Sequence, residues 1–383
     1  MWKIPLFDIC FDKQEREAVL QVLDSGWLTM GEVTERFEQR FSEYMNVKHA
    51  IAVSNCTAAL HLANLALGIG EGDEVICPSL SFVAGANSII YTGAKPVFAD
   101  VTGLTDFNIS PDDIAAKISK KSKAIQILHY AGNPCNMSSI MEIADNYGLS
   151  VIEDCAHTPG AEYNGKKCGT IGDIGCFSFF SNKNLAVGEG GMVITNRDDL
   201  AEKIKLMRSH GMTTVTLDRH LGRALSYDVV ALGYNYRTDE IRSAVGIKQL
   251  EKLPNNNYKR EELTKIYRKR ILDISQLDVP FDKINGISSY HILPILLGSN
   301  LNRSEFMEFM KMKGIQSSIH YPAIHLFDFY RRNFSHNDGF LPVTEDIARR
   351  EVTLPLYPSM QEEDVHYVCD SIVKYIEGEE GLR

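Results

Sequence analysis

The hydrophobic positions of this chain fall into short apolar runs that alternate with longer segments of helical pattern. The first run, HAIAV at residues 49–53, is followed by TAALHLANLAL at 57–67, which is apolar enough for a buried helix. The same alternation continues through EVICP, KPVFADV, KAIQILHYAG and SVIEDCA. Strands that alternate with helices in this way are typical of a mostly parallel sheet covered on both faces. The pattern therefore predicts an α/β fold.

Two closely spaced apolar runs interrupt this alternation: CFSFF at residues 176–180 and GMVITN at 191–196. Their close spacing favours an antiparallel pair of strands at this point. Lys183 lies between them, just before a glycine-rich turn.

After about Leu253 the pattern changes. We expect a polar turn and a charged helix in LPNNNYKREELTKIYRKRIL, a strand in ISSYHILPILL, and a helix in LNRSEFMEFMKMKG that ends at Gly314. The sequence therefore predicts a large domain at residues 1–250 and a smaller α+β domain at 251–383.

The composition is that of an ordinary globular protein, with 44% hydrophobic and 23% charged residues among 383. A net charge of −10 argues against a broad nucleic-acid surface. No apolar run is long enough to cross a bilayer, and the opening MWKIPLFDICFDKQERE is too acidic for a signal peptide. The eight cysteines lie mostly in apolar stretches, as Cys77 and Cys176 do, so we expect reduced thiols and a cytoplasmic protein.

Several polar residues follow predicted strands, at the edge of an α/β sheet where ligand sites collect. In SNCTAAL, a helix start leaves backbone N–H groups free for a phosphate and Thr57 adds a hydroxyl, although an ordinary N-cap by Ser54 or Thr57 explains the same pattern. Asp154 ends a buried strand, where a carboxylate needs a cation and serves either a salt bridge or a function. Ser178 lies five residues before Lys183 and could reach the same phosphate.

Lys183 places an amine where desolvation is costly. A lysine in a partly desolvated pocket has a lowered pKa and forms Schiff bases. Pyridoxal phosphate (PLP) needs such a lysine, an anion cradle for its phosphate, and an aspartate that keeps its ring nitrogen protonated. Thr57, Asp154, Ser178 and Lys183 occur in an order that suits this cofactor, although each element is individually common.

Ten stretches of the chain, from the N-terminus to about residue 360, match one known family. They are DSGWLTMGEVTERFE, SNCTAALHLA, GDEVICPSLSFVA, KPVFADV, VIEDCAH, CFSFFSNKNLAVGEGGM, MRSHGM, GYNYRTDEIRSAVG, HYPAIH and LPLYPSM. In these stretches the sequence resembles the DegT/DnrJ/EryC1/StrS family of sugar-nucleotide aminotransferases. The resemblance implies a fold-type-I PLP-dependent transferase with a seven-stranded type of sheet. It also implies a homodimer in which each active site is built from both subunits.

The resemblance implies a role for each residue at a matching cofactor position. Lys183 would be the Schiff-base lysine and proton shuttle, and Asp154 would pair with the pyridine nitrogen. His157 would lie beside the phenolic oxygen of the cofactor, and Phe82 would stack on its ring. The phosphate would be bound by Thr57, the backbone at Ala58, Ser178 and, from the neighbouring subunit, Asn235.

Six further residues lie in segments that line the sugar-nucleotide side in relatives: Trp27, Leu28, Thr29, His320, Tyr321 and His325. Packing of a loop against the small domain explains Tyr321 and His325 equally well. One departure concerns the phosphate loop, where relatives usually have glycine and this chain has Cys56, whose side chain must fit near the cofactor. Ser181 and Asn182 stand where proline and threonine are common, which leaves the role of the lysine unchanged.

The reaction that the resemblance implies has two stages. An amino acid, with L-glutamate favoured, first leaves its amino group on the cofactor. A nucleotide-linked 4-keto-6-deoxy sugar then takes that amino group. The run HYAGNP resembles the HYAG run of enzymes that aminate C4 of UDP- or dTDP-linked sugars, which favours C4 over C3.

Other classes of protein fit the sequence less well. Dehydratases of the same family have histidine in place of the lysine, and a non-catalytic PLP-binding regulator would carry an added DNA-binding segment. GIGEGD at residues 68–73 resembles a nicotinamide-dinucleotide loop, but it follows a helix and precedes a strand, which is the wrong order. The pairs Cys155–His157 and Cys168–Cys176 lack the spacing of paired metal ligands, so we expect no metal.

Overall fold

The computed structural model describes residues 2–214, 222, 225–282, 286–334 and 337–378. Its strands are β1 (His49–Val53), β2 (Glu74–Pro78), β3 (Lys95–Ala99), β4 (Val101–Gly103), β5 (Asp106–Ile109), β6 (Ser122–Leu128), β7 (Ser150–Asp154), β8 (Glu162–Tyr163), β9 (Lys166–Lys167), β10 (Ile174–Ser178), β11 (Gly191–Thr195), β12 (Leu277–Asp278), β13 (Leu293–Leu297) and β14 (Glu351–Leu354).

Its α-helices are α1 (Lys13–Ser25), α2 (Glu32–Met45), α3 (Cys56–Ala66), α4 (Ala84–Ile90), α5 (Pro111–Lys117), α6 (Met137–Tyr147), α7 (Asp198–Arg208), α8 (Glu240–Ile271), α9 (Arg303–Met312), α10 (Asp328–Phe334), α11 (Pro342–Arg350) and α12 (Glu362–Ile376). Short 3₁₀ turns lie at Tyr130–Gly132 and Ile324–Leu326. Of the described helices, none is both long and apolar enough to span a membrane.

Seven strands form the central sheet, in the order β1-β11-β10-β7-β6-β2-β3. Strands β3, β2, β6, β7 and β10 run parallel to one another. In contrast, β11 is antiparallel to both of its neighbours, β1 and β10. The predicted mostly parallel sheet and the predicted antiparallel pair around Lys183 are both confirmed.

Helices cover both faces of the sheet because both sets of alternating side chains on its strands are apolar. On β1, Ile51 and Val53 pack in one core with residues of α3, whereas Ala50 and Ala52 pack in another with residues of α2. Nine of the eleven residues of α3 are buried, as the apolar sequence of this helix predicts.

The parallel strands bring their carboxyl ends to one edge of the sheet. β7 ends at Asp154 and β10 ends at Ser178, and the register between them pairs Cys176 with Asp154. Strand β1 runs in the same direction as β10, so the start of α3, which follows β1, reaches the same edge. Ligands bind at this edge in open α/β sheets.

A second sheet, β12-β13-β14, is antiparallel and belongs to a separate core in the C-terminal part of the chain. This core includes residues of α9 and α12, and Ile4 near the N-terminus packs in it as well. The division at residues 250 and 251 stays a prediction, and α8 passes through it without a break.

Helix α8 contradicts one detail of the sequence analysis. The run LPNNN predicts a turn, yet the helix continues through Pro254. A proline inside a helix costs about 3 kcal/mol. However, α8 packs in two cores at once, with Leu253 in one and Tyr267 in the other. This tertiary packing outweighs the local cost.

Candidate active site

One cavity of about 430 Å³ lies at the carboxyl edge of the central sheet. Its walls include the start of α3, the ends of β7 and β10, and the connection between β10 and β11. Eight of the predicted site residues line it: Thr57, Phe82, Asp154, His157, Ser178, Lys183, His320 and Tyr321. The structure thus brings together most of the residues predicted for the cofactor and two of those predicted for the substrate.

Lys183 reaches this cavity from the connection between β10 and β11. Its main-chain N–H donates to the carbonyl oxygen of Phe180 at 2.9 Å, which closes a turn. Burial lowers the pKa of the Lys183 ammonium to about 8, although the nearby Asp154 carboxylate opposes the shift. Much of the amine is therefore neutral near that pH, as a nucleophile or a base requires.

Asp154 is buried in the wall of the same cavity, and its Oδ1 accepts the N–H of Ala156 at 3.0 Å. Burial raises the pKa of the Asp154 carboxyl, while the Ala156 hydrogen bond and the Lys183 charge oppose the shift. A buried carboxylate is stabilised by a cationic partner. This position therefore suits a protonated ring nitrogen.

The start of α3 supplies the polar groups at another part of the cavity. The helix cap, predicted at Ser54 or Thr57, lies instead at Asn55, whose side-chain oxygen accepts the Ala58 N–H at 2.8 Å. This bond engages one of the backbone donors predicted for the phosphate. Thr57 and Ser178 line the cavity, so the helix start and these two hydroxyls form a surface suited to an anion.

Cys56, which stands where relatives have glycine, fits at the first position of α3. Its Sγ lies 3.7 Å from the carbonyl oxygen of Cys176, and the side chain is nearly buried. Gly191 on β11 passes close to the same loop, because a Cβ at that position would lie 2.6 Å from the main-chain carbon of Asn55. The start of α3 therefore accommodates a cysteine at position 56 and leaves no room for a side chain at position 191.

His157 and Tyr321 are hydrogen-bonded to each other in the cavity wall. The Ala131 N–H donates to Nδ1 of His157 at 3.2 Å, so the ring proton is on Nε2. Nε2 donates to the Tyr321 hydroxyl at 2.9 Å. Burial, together with the nearby Lys183 charge, lowers the pKa of His157 well below its usual range, so the ring stays neutral.

His320 lies in the cavity wall, where two residues of β14 hold it by hydrogen bonds. Its Nδ1 lies 2.9 Å from Oγ1 of Thr353, and its main-chain N–H donates to Glu351 at 2.8 Å. Burial lowers the pKa of His320 to about 4, so this ring also stays neutral.

Four predicted residues lie outside this cavity, on two neighbouring segments. Trp27, Leu28 and Thr29 form one segment, and Asn235 is exposed on the other. The two segments are joined near α8, where the Glu240 N–H donates to the carbonyl oxygen of Leu28 at 3.1 Å. The Trp27–Thr29 segment therefore lies beside the start of α8, which follows Asn235 in the chain.

His325 lies in the interior. Its Nδ1 is 2.7 Å from the Ser79 hydroxyl, and its Nε2 is 3.2 Å from Glu345. The structure places His325 in a packing position outside the cavity, which is the alternative that the sequence analysis left open.

Sequence reasoning missed His291, which contacts the lysine directly. Nζ of Lys183 donates to Nε2 of His291 at 3.2 Å. The His291 ring also lies against that of His157, with centroids 4.4 Å apart. In the sequence, His291 is a single histidine in the apolar run ISSYHILPILL, and that pattern is more typical of a core residue than of a site.

A second buried group, His129, Glu153 and Cys155, has its polar atoms close enough together for a metal ion. Its hydrogen bonds show another use. Glu153 accepts three N–H groups of the 169–172 loop at 2.6–2.8 Å, and His129 Nε2 lies 3.0 Å from it. The other ring nitrogen of His129 accepts the Cys135 N–H at 3.0 Å. Both ring nitrogens of His129 therefore have partners within the protein, and Glu153 holds the 169–172 loop in place.

Comparison with known proteins gives a consistent result over nearly the whole chain. Residues 9–373 match the DegT/DnrJ/EryC1/StrS aminotransferase family. GDP-perosamine synthase of Escherichia coli O157:H7 is 38% identical, over 97% of this chain and 98% of its own length. Spore coat polysaccharide biosynthesis protein SpsC of Bacillus subtilis (strain 168) is 37% identical, over 96% of this chain and 95% of its own.

Solved structures agree with these relatives. PseC of Helicobacter pylori, an aminotransferase involved in the biosynthesis of pseudoaminic acid, has a TM-score of 0.91 and 32% identity, over 98% of this chain and 99% of PseC. The PLP form of Spr1654 from Streptococcus pneumoniae has a TM-score of 0.90 and 25% identity, over 98% of each chain.

The fold and the site define a PLP-dependent enzyme of fold type I. The chain belongs to the DegT/DnrJ/EryC1/StrS aminotransferase family, and it is a sugar aminotransferase. The described residues fit the cofactor, because an amine, a buried carboxylate and a helix start suited to an anion line the same cavity.

Proposed function

We propose that this enzyme moves the amino group of L-glutamate to C4 of a nucleotide-linked keto-6-deoxy sugar. The observation that supports it most is the arrangement of Lys183, Asp154 and the start of α3 around one cavity. The run HYAGNP favours C4 over C3. The name of the E. coli relative, GDP-perosamine synthase, supports a nucleotide-linked acceptor.

Most of the residues that would hold the cofactor line this cavity; the backbone near Ala58 lies next to it, after Thr57 on α3, and Asn235 would come from a second subunit. They are Lys183 at the aldehyde carbon, Asp154 at the ring nitrogen, His157 beside the phenolic oxygen, Phe82 on the ring face, and Thr57, Ser178, the backbone near Ala58 and Asn235 at the phosphate. When bound, pyridoxal phosphate supplies an electron sink for the negative charge that develops on the donor's α-carbon.

Lys183 would carry the proton in both stages. In the first stage, its neutral amine would take the proton from the α-carbon of the donor and pass it to the aldehyde carbon of the cofactor, which returns Lys183 to the amine. In the second stage, the amine would take a proton from that same carbon and deliver it to the sugar carbon that receives the amino group. A pKa of about 8 keeps both protonation states accessible near neutral pH. The turn through Phe180 holds the backbone, and the long, flexible side chain would allow the amine to reach both carbons.

The sugar would bind between the exposed ring of Phe82 and the ring of His320. Phe82 is 59% exposed, and its ring centroid lies 6.2 Å from that of Tyr321. Phe82 would cover the cofactor ring and keep water from the reacting carbons. His320 and the Tyr321 hydroxyl would contact the sugar, because both line the cavity.

We infer a homodimer from a strip of exposed apolar side chains. Leu225, Val229, Val230 and Leu232 all lie on the surface, and Leu232 is 82% exposed. Exposed strips of this kind are typical of interfaces. Asn235 comes three positions after Leu232, and Leu28 is hydrogen-bonded to Glu240 at the start of α8. We propose that Asn235 and the Trp27–Thr29 segment enter the active site of the second copy.

The donor is tested with one turnover of the PLP-loaded protein. We expect L-glutamate to yield one 2-oxoglutarate per bound cofactor, measured by chromatography, whereas L-aspartate and L-alanine yield much less of their keto acids. Lys183→Ala should yield none, while Lys205→Ala, on the exposed part of α7, should behave like the wild type. Equal yields from all three amino acids would contradict the donor choice.

The acceptor is tested with ¹⁵N-glutamate and matched pairs of nucleotide-linked 4-keto and 3-keto sugars. We expect ¹⁵N to appear on C4 of the product, as located by NMR. Amination of the 3-keto sugar alone would refute C4 and leave the sugar aminotransferase assignment in place.

A further inference from the structure

His291 lies just before β13, and its backbone is held on both sides. Its N–H donates to the carbonyl oxygen of Ala131 at 3.0 Å, and its own carbonyl accepts the Arg260 guanidinium at 3.1 Å. The side chain is 3% exposed. Its Nε2 lies 3.2 Å from Nζ of Lys183. The imidazole therefore has a defined place beside the reacting amine.

The orientation of Asn184 determines which nitrogen of His291 carries the proton. The Asn184 amide nitrogen is 2.7 Å from the carbonyl oxygen of Ser289, and a main-chain carbonyl only accepts. The amide oxygen must then be the atom that lies 2.9 Å from Nδ1 of His291. An amide oxygen also only accepts, so Nδ1 carries the proton and the neutral ring leaves Nε2 free to accept.

The surroundings keep the His291 ring neutral. Burial lowers its pKa well below the usual range, and the positive charges of Lys183 and Arg260 act in the same direction. A neutral ring with its proton on Nδ1 presents a lone pair to Lys183 whether Nζ is an amine or an ammonium.

We propose that His291 is a positioning residue for Lys183, and that Asn184 holds the tautomer in which Nε2 accepts a hydrogen bond from Nζ. The inference rests on the proposed role of Lys183 as the reacting lysine. It adds a residue from a segment 108 positions further along the chain.

The hydrogen bond matters when the amine is free. After the donor displaces it, Nζ sits at the end of a flexible four-carbon stem. The hydrogen bond to Nε2 would hold Nζ near the carbon whose proton Lys183 moves. It would thereby limit the conformational freedom of the Lys183 side chain between turnovers. Because the neutral imidazole stabilises the ammonium more than the amine, it also raises the pKa of Lys183 against the effect of burial.

The test measures Lys183 in the protein loaded with pyridoxamine 5'-phosphate, where the lysine carries no covalent bond. Trace labelling with acetic anhydride at several pH values, followed by mass spectrometry of the Lys183 peptide, gives the pKa of that lysine. We expect His291→Leu to lower this pKa and to raise the labelled fraction at acidic pH about tenfold. His291→Gln keeps an acceptor at the position of Nε2 and should restore most of the wild-type profile.

A profile of His291→Leu that overlays the wild type would overturn the proposal, and so would equal profiles of the Leu and Gln variants. Cofactor content and melting temperature serve as the folding control. If His291→Leu does not fold, ¹⁵N NMR of the histidine-labelled wild type decides: a proton on Nδ1 of His291 supports the inference, and a proton on Nε2 refutes it.

Failure of the proposed function is detected separately. Borohydride reduction of the PLP-loaded wild type attaches the cofactor to the lysine that holds it, and mass spectrometry identifies the peptide. Attachment elsewhere than Lys183 would remove the basis for both proposals. Attachment at Lys183 with unchanged His291→Leu labelling would remove only the positioning role.

Discussion

Nε2 of His157 donates a hydrogen bond to the hydroxyl of Tyr321 at 2.9 Å. The direction of this bond is set from outside the pair, because the Ala131 N–H occupies Nδ1 of His157. Tyr321 thus accepts from the histidine and has its own hydroxyl proton left to donate. A donor that the protein orients in this way can serve an oxygen atom of the cofactor or of the sugar.

Tyr321→Phe should therefore act through His157. In the cofactor-free protein it leaves a buried N–H without its acceptor, which we expect to lower the free energy of unfolding by about 1–2 kcal/mol. Bound PLP offers the phenolic oxygen to the same N–H. The rise in melting temperature on adding PLP should then be larger in Tyr321→Phe than in the wild type, as measured by scanning fluorimetry. An equal or smaller rise would show that His157 does not turn to the cofactor.

Asp154→Asn should lower turnover about a hundredfold while leaving most of the cofactor bound, because the neutral amide no longer stabilises a protonated ring nitrogen. Turnover and PLP content are measured on the same sample. Asp199→Asn, an exposed aspartate on α7, is the matched control and should change neither. Near-normal turnover of Asp154→Asn would count against the ring-nitrogen pairing.

The pKa of Lys183 predicts a pH profile for the second stage. The neutral amine is the reactive form, so the rate of the pyridoxamine-loaded enzyme with its keto sugar should rise about tenfold per pH unit below about pH 8 and level off above it. The Asp154 carboxylate raises this pKa. In Asp154→Asn the plateau should therefore begin at a lower pH, as followed by stopped-flow absorbance. A plateau at the same or higher pH would contradict this assignment.

Glu153→Gln should destabilise the protein without touching the cavity. The Glu153 carboxylate accepts hydrogen bonds from three loop N–H groups and contacts the His129 ring. A glutamine would turn its NH₂ group toward some of these N–H groups, and it could not accept their hydrogen bonds there. We expect a loss of about 3 kcal/mol, seen as a lower melting temperature of the PLP-loaded protein. Glu202→Gln, exposed on α7, should leave it unchanged. An unchanged melting temperature in both variants would contradict the role of Glu153 in holding the 169–172 loop.

Asn235→Ala should weaken PLP binding only in the dimer. Leu232→Asp should break the dimer, because it places a charge in the apolar strip, and should weaken PLP binding by the same route. The exposed Asn333→Ala is the control. Sedimentation and PLP titration at matched protein concentrations test both effects. Wild-type PLP affinity in a monomeric Leu232→Asp variant would place the phosphate site within one subunit.

Local sequence patterns were sufficient to predict the positions of the residues that lie on or next to strands. The alternation of strands and helices predicts the order of elements, and parallel strands necessarily meet at one edge, so Asp154 and Ser178 had to lie near each other. Local patterns failed at Pro254, where a proline followed by three asparagines is a strong turn signal. Packing of α8 in two cores overrides that signal, and Asn257 donates instead to the carbonyl oxygen of Pro159 at 2.9 Å.

By itself, the sequence determined the mostly parallel sheet, the edge at which the cavity lies, and the lysine and aspartate that line this cavity. Each of these follows from short-range pattern combined with the geometry of strands. Only the tertiary structure decided that Asn184 sets the tautomer of His291 and that His291 meets Lys183. That contact depends on the distance between two segments far apart in the chain. Packing of the whole molecule sets such a distance, and no local spacing encodes it.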